Sequence, residues 1–205
     1  KAAMPVMEGK AILFKEFADI DALPICLDTQ DSEEIIRTVK YLAPTFGGIN
    51  LEDISAPRCF EIERRLRQEL DIPVFHDDQH GTAIVVSAGI LNALRLVNKE
   101  LGSARFVING AGSAGISIAT LLMEIGARDI IMGDRSGILC EGETWMNPAQ
   151  AAMAEKTNRE HLRGTLADAM RGRDVFIGVS APGIVSAEMV ASMNKEAIIF
   201  ALSNP

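Results

Sequence analysis

The 205-residue sequence predicts an α/β protein: a doubly wound parallel sheet over residues 82–205, preceded by a smaller α/β segment over residues 1–81. Three observations lead there. Short, wholly apolar runs alternate with helical patterns in the second segment, as strands do when helices cover both sheet faces. A glycine-rich turn, Gly110-Ala111-Gly112-Ser113-Ala114-Gly115, joins one such run to a helix. Two acidic pairs, Glu52-Asp53 and Asp77-Asp78, each follow a short apolar run in the first segment.

In the first segment, residues 11–14 and 23–27 read as short strands. Residues 32–42 read as a helix, with Ser32 as N-cap and Ile35, Ile36, Val39 and Leu42 at helical spacing. Pro44 ends it. Residues 46–51 form the next strand, and residues 57–70 a helix opened by Pro57, with Phe60, Ile62, Leu66 and Leu70 on its inner side. Residues 73–75 are a strand. Residues 81–97 form a helix without charge until Arg95, expected to be buried between the segments.

In the second segment the strands are expected at 105–109, 129–133, 174–179 and 197–202, and the helices at 112–125, 166–170 and 187–193. Residues 135–165 carry no clear pattern.

Composition bounds the function. Nearly half of the chain is apolar (48 %), enough for a sizeable core, and the formal net charge of −8 with no basic stripe argues against nucleic acid and anionic membrane as partners. No apolar run approaches 18 residues, so no membrane-spanning helix is expected. Three widely spaced cysteines, Cys26, Cys59 and Cys140, fit a reduced, cytoplasmic protein. The chain starts without methionine and reads as a piece of something longer.

The glycine turn meets its context test. It follows Phe106-Val107-Ile108, opens a helix, and is followed by the acidic Asp134 after the next strand. Gly110 serves the tight turn, Gly112 lets backbone approach a pyrophosphate, and Gly115 lets helix and strand pack closely. This is a Rossmann-like dinucleotide site, lined by Gly110 to Gly115. Asp134 would accept hydrogen bonds from the adenosine ribose, which favours NAD; Arg135 could instead pair with the 2′-phosphate of NADP. Ser180, after residues 174–179, and Asn204, after residues 197–202, lie at further strand ends, where such sheets bind ligands.

The acidic pairs pose an electrostatic problem. If their runs are neighbouring parallel strands, ~4.8 Å apart, the carboxylates nearly touch. At an effective dielectric of about 20 each pair then repels by roughly 3–4 kcal/mol, and a hard cation, Mg²⁺ or Mn²⁺, is the natural compensation. His76 and His80 bracket the second pair but are not on one helical face, so packing or outer hydrogen bonding suits them better than ligation; His161 is expected at the surface.

The run Pro5-Val6-Met7-Glu8-Gly9-Lys10-Ala11, the stretches from Gly47 to Ile54 and from Val74 to Ala83, and the glycine loop together resemble the bacterial malic enzymes, in order and over essentially the whole chain. The resemblance implies oxidative decarboxylation of (S)-malate to pyruvate and CO₂, with hydride transfer to NAD or NADP and assistance from Mg²⁺ or Mn²⁺. It implies Glu52, Asp53 and Asp78 as metal ligands. Asp77 is expected beside them, holding a proton network, and Lys10 as general base toward the C2 hydroxyl. Asn204 would offer an amide to the nicotinamide or to substrate. The resemblance further implies a homodimer or larger homo-oligomer. The family's acid, a tyrosine near the N-terminus, and its substrate-binding arginine have no counterpart here, since the one tyrosine, Tyr41, lies in the helix over 32–42. This chain by itself is therefore expected to show little overall activity. Three alternatives remain: a malolactic enzyme; another NAD(P)-dependent dehydrogenase with structural acidic pairs; and a non-catalytic dinucleotide-binding module.

Overall fold

The structure, a computed structural model, describes residues 3–203. It divides into two compact units. One comprises the residues up to Ile54 with Glu61–Phe75, the other Ser55–Phe60 with the residues from His76 onward.

The first unit begins with helix α1, Ala3–Ala18. This corrects the strand expected at 11–14: the apolar run Ala11-Ile12-Leu13-Phe14 continues a helix that starts well before it. No strand forms at 23–27 either; residues 19–30 have no regular structure. A short apolar run is ambiguous between helix and strand, and here Ile12, Leu13, Phe17 and Leu23 are exposed, so no buried face sets a period.

Helix α2, Ser32–Leu42, has the expected bounds, but Asp31 rather than Ser32 is its N-cap, accepting from the Glu34 N–H at 2.9 Å. A 3₁₀ turn, Ala43–Thr45, holds Pro44 and stops it. Strand β1 is only Ile49–Leu51, shorter than the run over 46–51 because Gly47 and Gly48 stay outside the ladder. Helix α3 is Arg58–Glu69, and β2 is Val74–His76. β1 and β2 pair, and the Ile49 N–H donates to the Pro73 carbonyl at 2.9 Å, so both strands start at the same end. Ile35, Ile36 and Val39 from α2, Leu51, Val74, and Ile62 and Leu66 from α3 close one small core.

The second unit holds helix α4, Asp77–Leu96, which starts four residues earlier than expected, so the second acidic pair forms its first turn. There two carboxylates meet the positive end of the helix dipole. One face of α4 (Ala83, Val86, Ile90, Leu94) is buried, but Ile84 and Val85 are 56 % and 71 % exposed, so the helix is not buried all round as expected.

The sheet has the order β5-β4-β3-β6-β7. Its strands are β3 (Arg105–Asn109), β4 (Asp129–Asp134), β5 (Gly137–Ile138), β6 (Val175–Gly178) and β7 (Ile198–Ala201). β3 pairs in parallel with β4 and β6, and β6 with β7; β5 is an antiparallel edge. Helix α5, Ser113–Glu124, links β3 to β4. Helices α6, Pro148–Ala154, and α7, Leu166–Met170, precede β6, and α8, Ala187–Ala191, precedes β7. α6 and β5 occupy the stretch in which no pattern was legible.

Side chains of the central strands alternate between two apolar layers, as the pleat requires. Phe106 and Ile108 join Ile130, Met132, Val175 and Ile177 in the layer shared with α4, α5 and α6. Val107 joins Ile131 and Phe176 in the layer shared with α7 and α8. Both layers are apolar and buried, which is why these strands read as unbroken apolar runs. Ile108→Ala, at a fully buried position, should cost about 2–5 kcal/mol in chemical unfolding.

The amino ends of β3 and β6 are tied together through Asp174. Asp174, just before β6, accepts from Lys99 Nζ at 2.9 Å, Asn194 Nδ2 at 3.0 Å and the Arg105 N–H at 2.9 Å. Burial alone would raise its pKa, but these donors outweigh burial and hold it below the usual carboxylate value. A carboxyl depressed in the folded state adds stability that is complete above its unfolded pKa, near ~4, and is lost as pH falls through the folded one. Asp174→Ala is therefore expected to lose about 2 kcal/mol at neutral pH. Its melting temperature should also fall less steeply than the parent's as pH drops below ~4.

Candidate functional site

The strand order reverses at β3: the chain goes from β3 to β4 on one side, then crosses to β6 on the other. A crevice for ligands opens at such a switch point beyond the carboxyl ends of the strands. The glycine loop lies there, between Asn109 and the first turn of α5. Gly110 has φ +118°, and a Cβ on it would lie 2.9 Å from the Val179 backbone. A Cβ on Gly115 would lie 1.8 Å from the Gly110 carbonyl oxygen. Loop and helix thus touch through backbone, as expected for those two positions. Gly112 differs: a Cβ there meets nothing within 4 Å. It is the N-cap of α5 and exposed, so a phosphate has room at the N–H end of the helix. Ser113 and Ala114 follow in the first turn.

The loop is braced from both neighbours. The Gly110 N–H donates to the Gly133 carbonyl at 2.8 Å, and Asn109 Nδ2 donates to the Ser180 hydroxyl oxygen at 2.7 Å, joining the ends of β3 and β6. Ser180 itself is exposed. Asp134 is the last residue of β4 and half-buried. Its Oδ1 accepts from the Arg135 N–H at 2.7 Å and its Oδ2 from Gln150 Nε2 at 2.7 Å. The Arg135 side chain is exposed at the same strand end. Gln150 was missed in the sequence. The signal that would have found it is the capping pattern Asn147-Pro148-Ala149-Gln150, which places a glutamine at the third position of a helix. Asn204 lies outside the described residues.

The acidic residues sit at the ends of neighbouring strands. Glu52 and Asp53 directly follow β1, and Asp77 and Asp78 directly follow β2. Glu52 is nearly buried, with 7 % of its side chain exposed, and Lys10 Nζ approaches its Oε2 to 2.6 Å. Strand-end logic could not bring Lys10 to the acidic pair; helix α1 does. Asp53 has φ +56°, the left-handed region that costs a residue with a side chain about 1–2 kcal/mol. The Asp77 carboxylate folds over the next turn, where a Cβ on Gly81 would meet its Oδ1 at 2.4 Å. Gly81→Ala must therefore displace Asp77, and turnover of the full-length protein should fall about tenfold or more in a steady-state assay, with little change in melting temperature.

Among the described residues, Glu52, Asp53 and Asp78 form a group in which each could give one carboxylate oxygen to a common metal ion. An all-oxygen, triply anionic donor set suits Mg²⁺ or Mn²⁺ rather than a softer ion. The glycine loop, with open space over Gly112 and a fixed carboxylate at Asp134, likewise fits a dinucleotide. His76 is fully buried at the end of β2, and His161 is exposed, as expected. No described helix is long and apolar enough to cross a membrane.

Comparison with known proteins agrees with both halves of the chain. Residues 1–67 match the family model described as malic enzyme, N-terminal domain, and residues 79–205 the model described as malic enzyme, NAD binding domain. The NAD-dependent malic enzyme of Geobacillus stearothermophilus is 60 % identical over 204 residues, which cover 100 % of this chain and 43 % of that protein. The bifunctional malic/malolactic enzyme of Bacillus subtilis (strain 168) is 56 % identical, covering 100 % of this chain and 50 % of that protein. The crystal structure of an NAD-dependent malic enzyme from Thermotoga maritima superposes with a TM-score of 0.96 at 53 % identity, over 99 % of this chain and 54 % of that one. The chain spans about half the length of the curated relatives it matches. With both domain models matched in order and these identities over its whole length, the chain belongs to the malic enzyme family.

Proposed function

We propose that the full-length protein containing this chain oxidises (S)-malate and decarboxylates the product to pyruvate and CO₂, passing a hydride to NAD. The observation that supports it most is the approach of Lys10 to Glu52 at 2.6 Å, which brings a basic side chain to the carboxylates that would hold the metal.

In this reading Glu52, Asp53 and Asp78 hold a Mg²⁺ or Mn²⁺ ion, which would supply Lewis-acid stabilisation of negative charge on the substrate's C2 oxygen. Lys10 takes the C2 hydroxyl proton, and a bound nicotinamide would supply the acceptor for the C2 hydride. Asp77 stands next to the ligands and orders the protons around them. The backbone of Gly110, Ala111, Gly112, Ser113, Ala114 and Gly115 binds the pyrophosphate, Asp134 the adenosine ribose, and Ser180 borders the nicotinamide end. NAD is preferred because the Asp134 carboxylate would repel a 2′-phosphate; Arg135 is the residue that would favour NADP. Asn204 completes the substrate side. Residues 1–81 thus carry the acid–base and metal chemistry and residues 82–205 the cofactor. A cytoplasmic homodimer or larger homo-oligomer belongs to the same reading.

The test is product analysis of the full-length protein with malate, Mn²⁺ and NAD. Pyruvate and NADH should form in equal amounts. Lactate without net NADH would make it a malolactic enzyme, the alternative that the Bacillus subtilis relative's double description favours. Binding of NAD without any turnover of malate would leave a non-catalytic module.

A further inference from the structure

Asn109 has no place in the chemistry above. It is the last residue of the central strand β3, at the switch point, and only 6 % of it is exposed. Its partners in register are both glycines, Gly133 on β4 and Gly178 on β6. No neighbouring side chain in the sheet therefore fills the space beside it, and the amide lies in that slot. Its Oδ1 is 3.6 Å from where a Cβ on Gly133 would be, and its Nδ2 donates to Ser180 Oγ at 2.7 Å. An amide nitrogen can only donate, so the hydroxyl accepts here and its own hydrogen turns elsewhere. Ser180 is exposed, and its Oγ has no other partner among the described residues. That hydrogen faces the crevice side, where a ligand acceptor can take it.

We infer that Asn109 is a positioning residue for the nicotinamide half of the dinucleotide: by donating to Ser180 it fixes that hydroxyl as a donor to an oxygen of the nicotinamide riboside. This rests on the reading of the glycine loop and Asp134 as the dinucleotide site. Asp134 ends β4, on one side of β3, and takes the adenosine ribose. The other half of the cofactor then extends to the β6 side. Ser180 is the first polar side chain after β6. Its backbone nitrogen is 3.1 Å from where a Cβ on Gly110 would be, so it adjoins the phosphate loop. Nicotinamide riboside offers acceptor oxygens on its ribose and on its carboxamide. A lone serine hydroxyl rotates among several directions; the buried amide of Asn109 holds this one ready before the cofactor arrives.

In the full-length protein, dissociation constants for NAD, ADP-ribose and ADP are measured by titration calorimetry, with melting temperatures alongside. ADP-ribose keeps the second ribose but lacks the nicotinamide, and ADP lacks both. Ser180→Ala should weaken NAD about tenfold, leave ADP unchanged and melt like the parent. A loss shared by ADP-ribose puts the acceptor on the ribose; a loss confined to NAD puts it on the carboxamide. Asn109→Leu removes the amide at similar volume and should weaken NAD about fivefold without weakening ADP. Asn109→Ala, which adds no bulk, should show the same pattern. In a Ser180→Ala background neither Asn109 variant should weaken NAD further, because Asn109 acts through that hydroxyl. A purely structural role would weaken ADP in parallel and would persist without the hydroxyl; either result overturns the inference. Parental NAD affinity in Ser180→Ala overturns it too. If Asp134→Ala and Gly112→Val both bind NAD as the parent does, the site reading itself fails. If they bind weakly while Ser180→Ala and the Asn109 variants keep the parental affinity, only the inference about Asn109 fails.

Discussion

Gly115→Ala in the full-length protein is expected to abolish tight dinucleotide binding and to destabilise the fold together. Its new methyl group would lie 1.8 Å from the Gly110 carbonyl oxygen, less than any non-bonded contact allows, and the obstacle is backbone, which cannot rotate aside. Either α5 retreats from the end of β3 or the loop unwinds. The cost in stability should be about 1–3 kcal/mol, as for an overpacked core. Because the loop that cradles the phosphates is the part that moves, kcat/KM should drop by about 10²-fold or more. Gly112→Ala is the informative contrast. Its Cβ meets nothing within 4 Å, and its backbone is not left-handed. Stability should stay within about 1 kcal/mol of the parent, since a weaker N-cap and a less flexible unfolded chain oppose each other. Cofactor affinity should still fall, because the methyl group occupies space the pyrophosphate would take. Calorimetric titration with NAD and a thermal melt of both variants check this. Equal stability and equal affinity for Gly115→Ala would mean the loop is not the phosphate cradle.

The second large effect is expected at the acidic pairs. Glu52→Gln, Asp78→Asn and Asp53→Gly each remove one proposed ligand charge. Charge stabilisation by a bound divalent ion contributes several kcal/mol in such chemistry, so each should lower kcat by about 10³-fold in the full-length protein. The stability effects should run the other way at one of these sites. Asp53 carries the left-handed φ of +56°, which glycine adopts without steric cost; Asp53→Gly should therefore be as stable as the parent, or more stable by up to about 1 kcal/mol. Loss of activity with a gain in melting temperature is the signature of a strained functional residue. A large stability loss at Asp53 would make the residue structural.

What was legible in the sequence followed the physics of burial. β3 and β4 sit between apolar layers on both faces and announced themselves as apolar runs; α2 showed Ile35, Ile36 and Val39 at helical spacing, although its cap is Asp31 and not the expected Ser32. The glycine loop was legible because three of its positions answer to different physical demands. Helix α1 was not, since its large apolar residues Ile12, Leu13 and Phe17 face outward here and leave no period to read. That failure hid the route by which Lys10 reaches Glu52, which only resemblance had suggested. Helix α6 was missed because its sequence, Pro-Ala-Gln-Ala-Ala-Met-Ala, has neither charge nor amphipathic pattern. With it went Gln150, whose part depends on contacts to Ala111 and Asp134 that are distant in sequence.

In the proposed function, Glu52, Asp53 and Asp78 share one divalent cation on which turnover depends. Manganese titration of the full-length protein, followed by electron paramagnetic resonance of the free ion, addresses it directly. One tight Mn²⁺ per chain is expected in the parent and none in Asp78→Asn, whose melting temperature stays within a few degrees of the parent's. Undiminished Mn²⁺ binding by Asp78→Asn would contradict it.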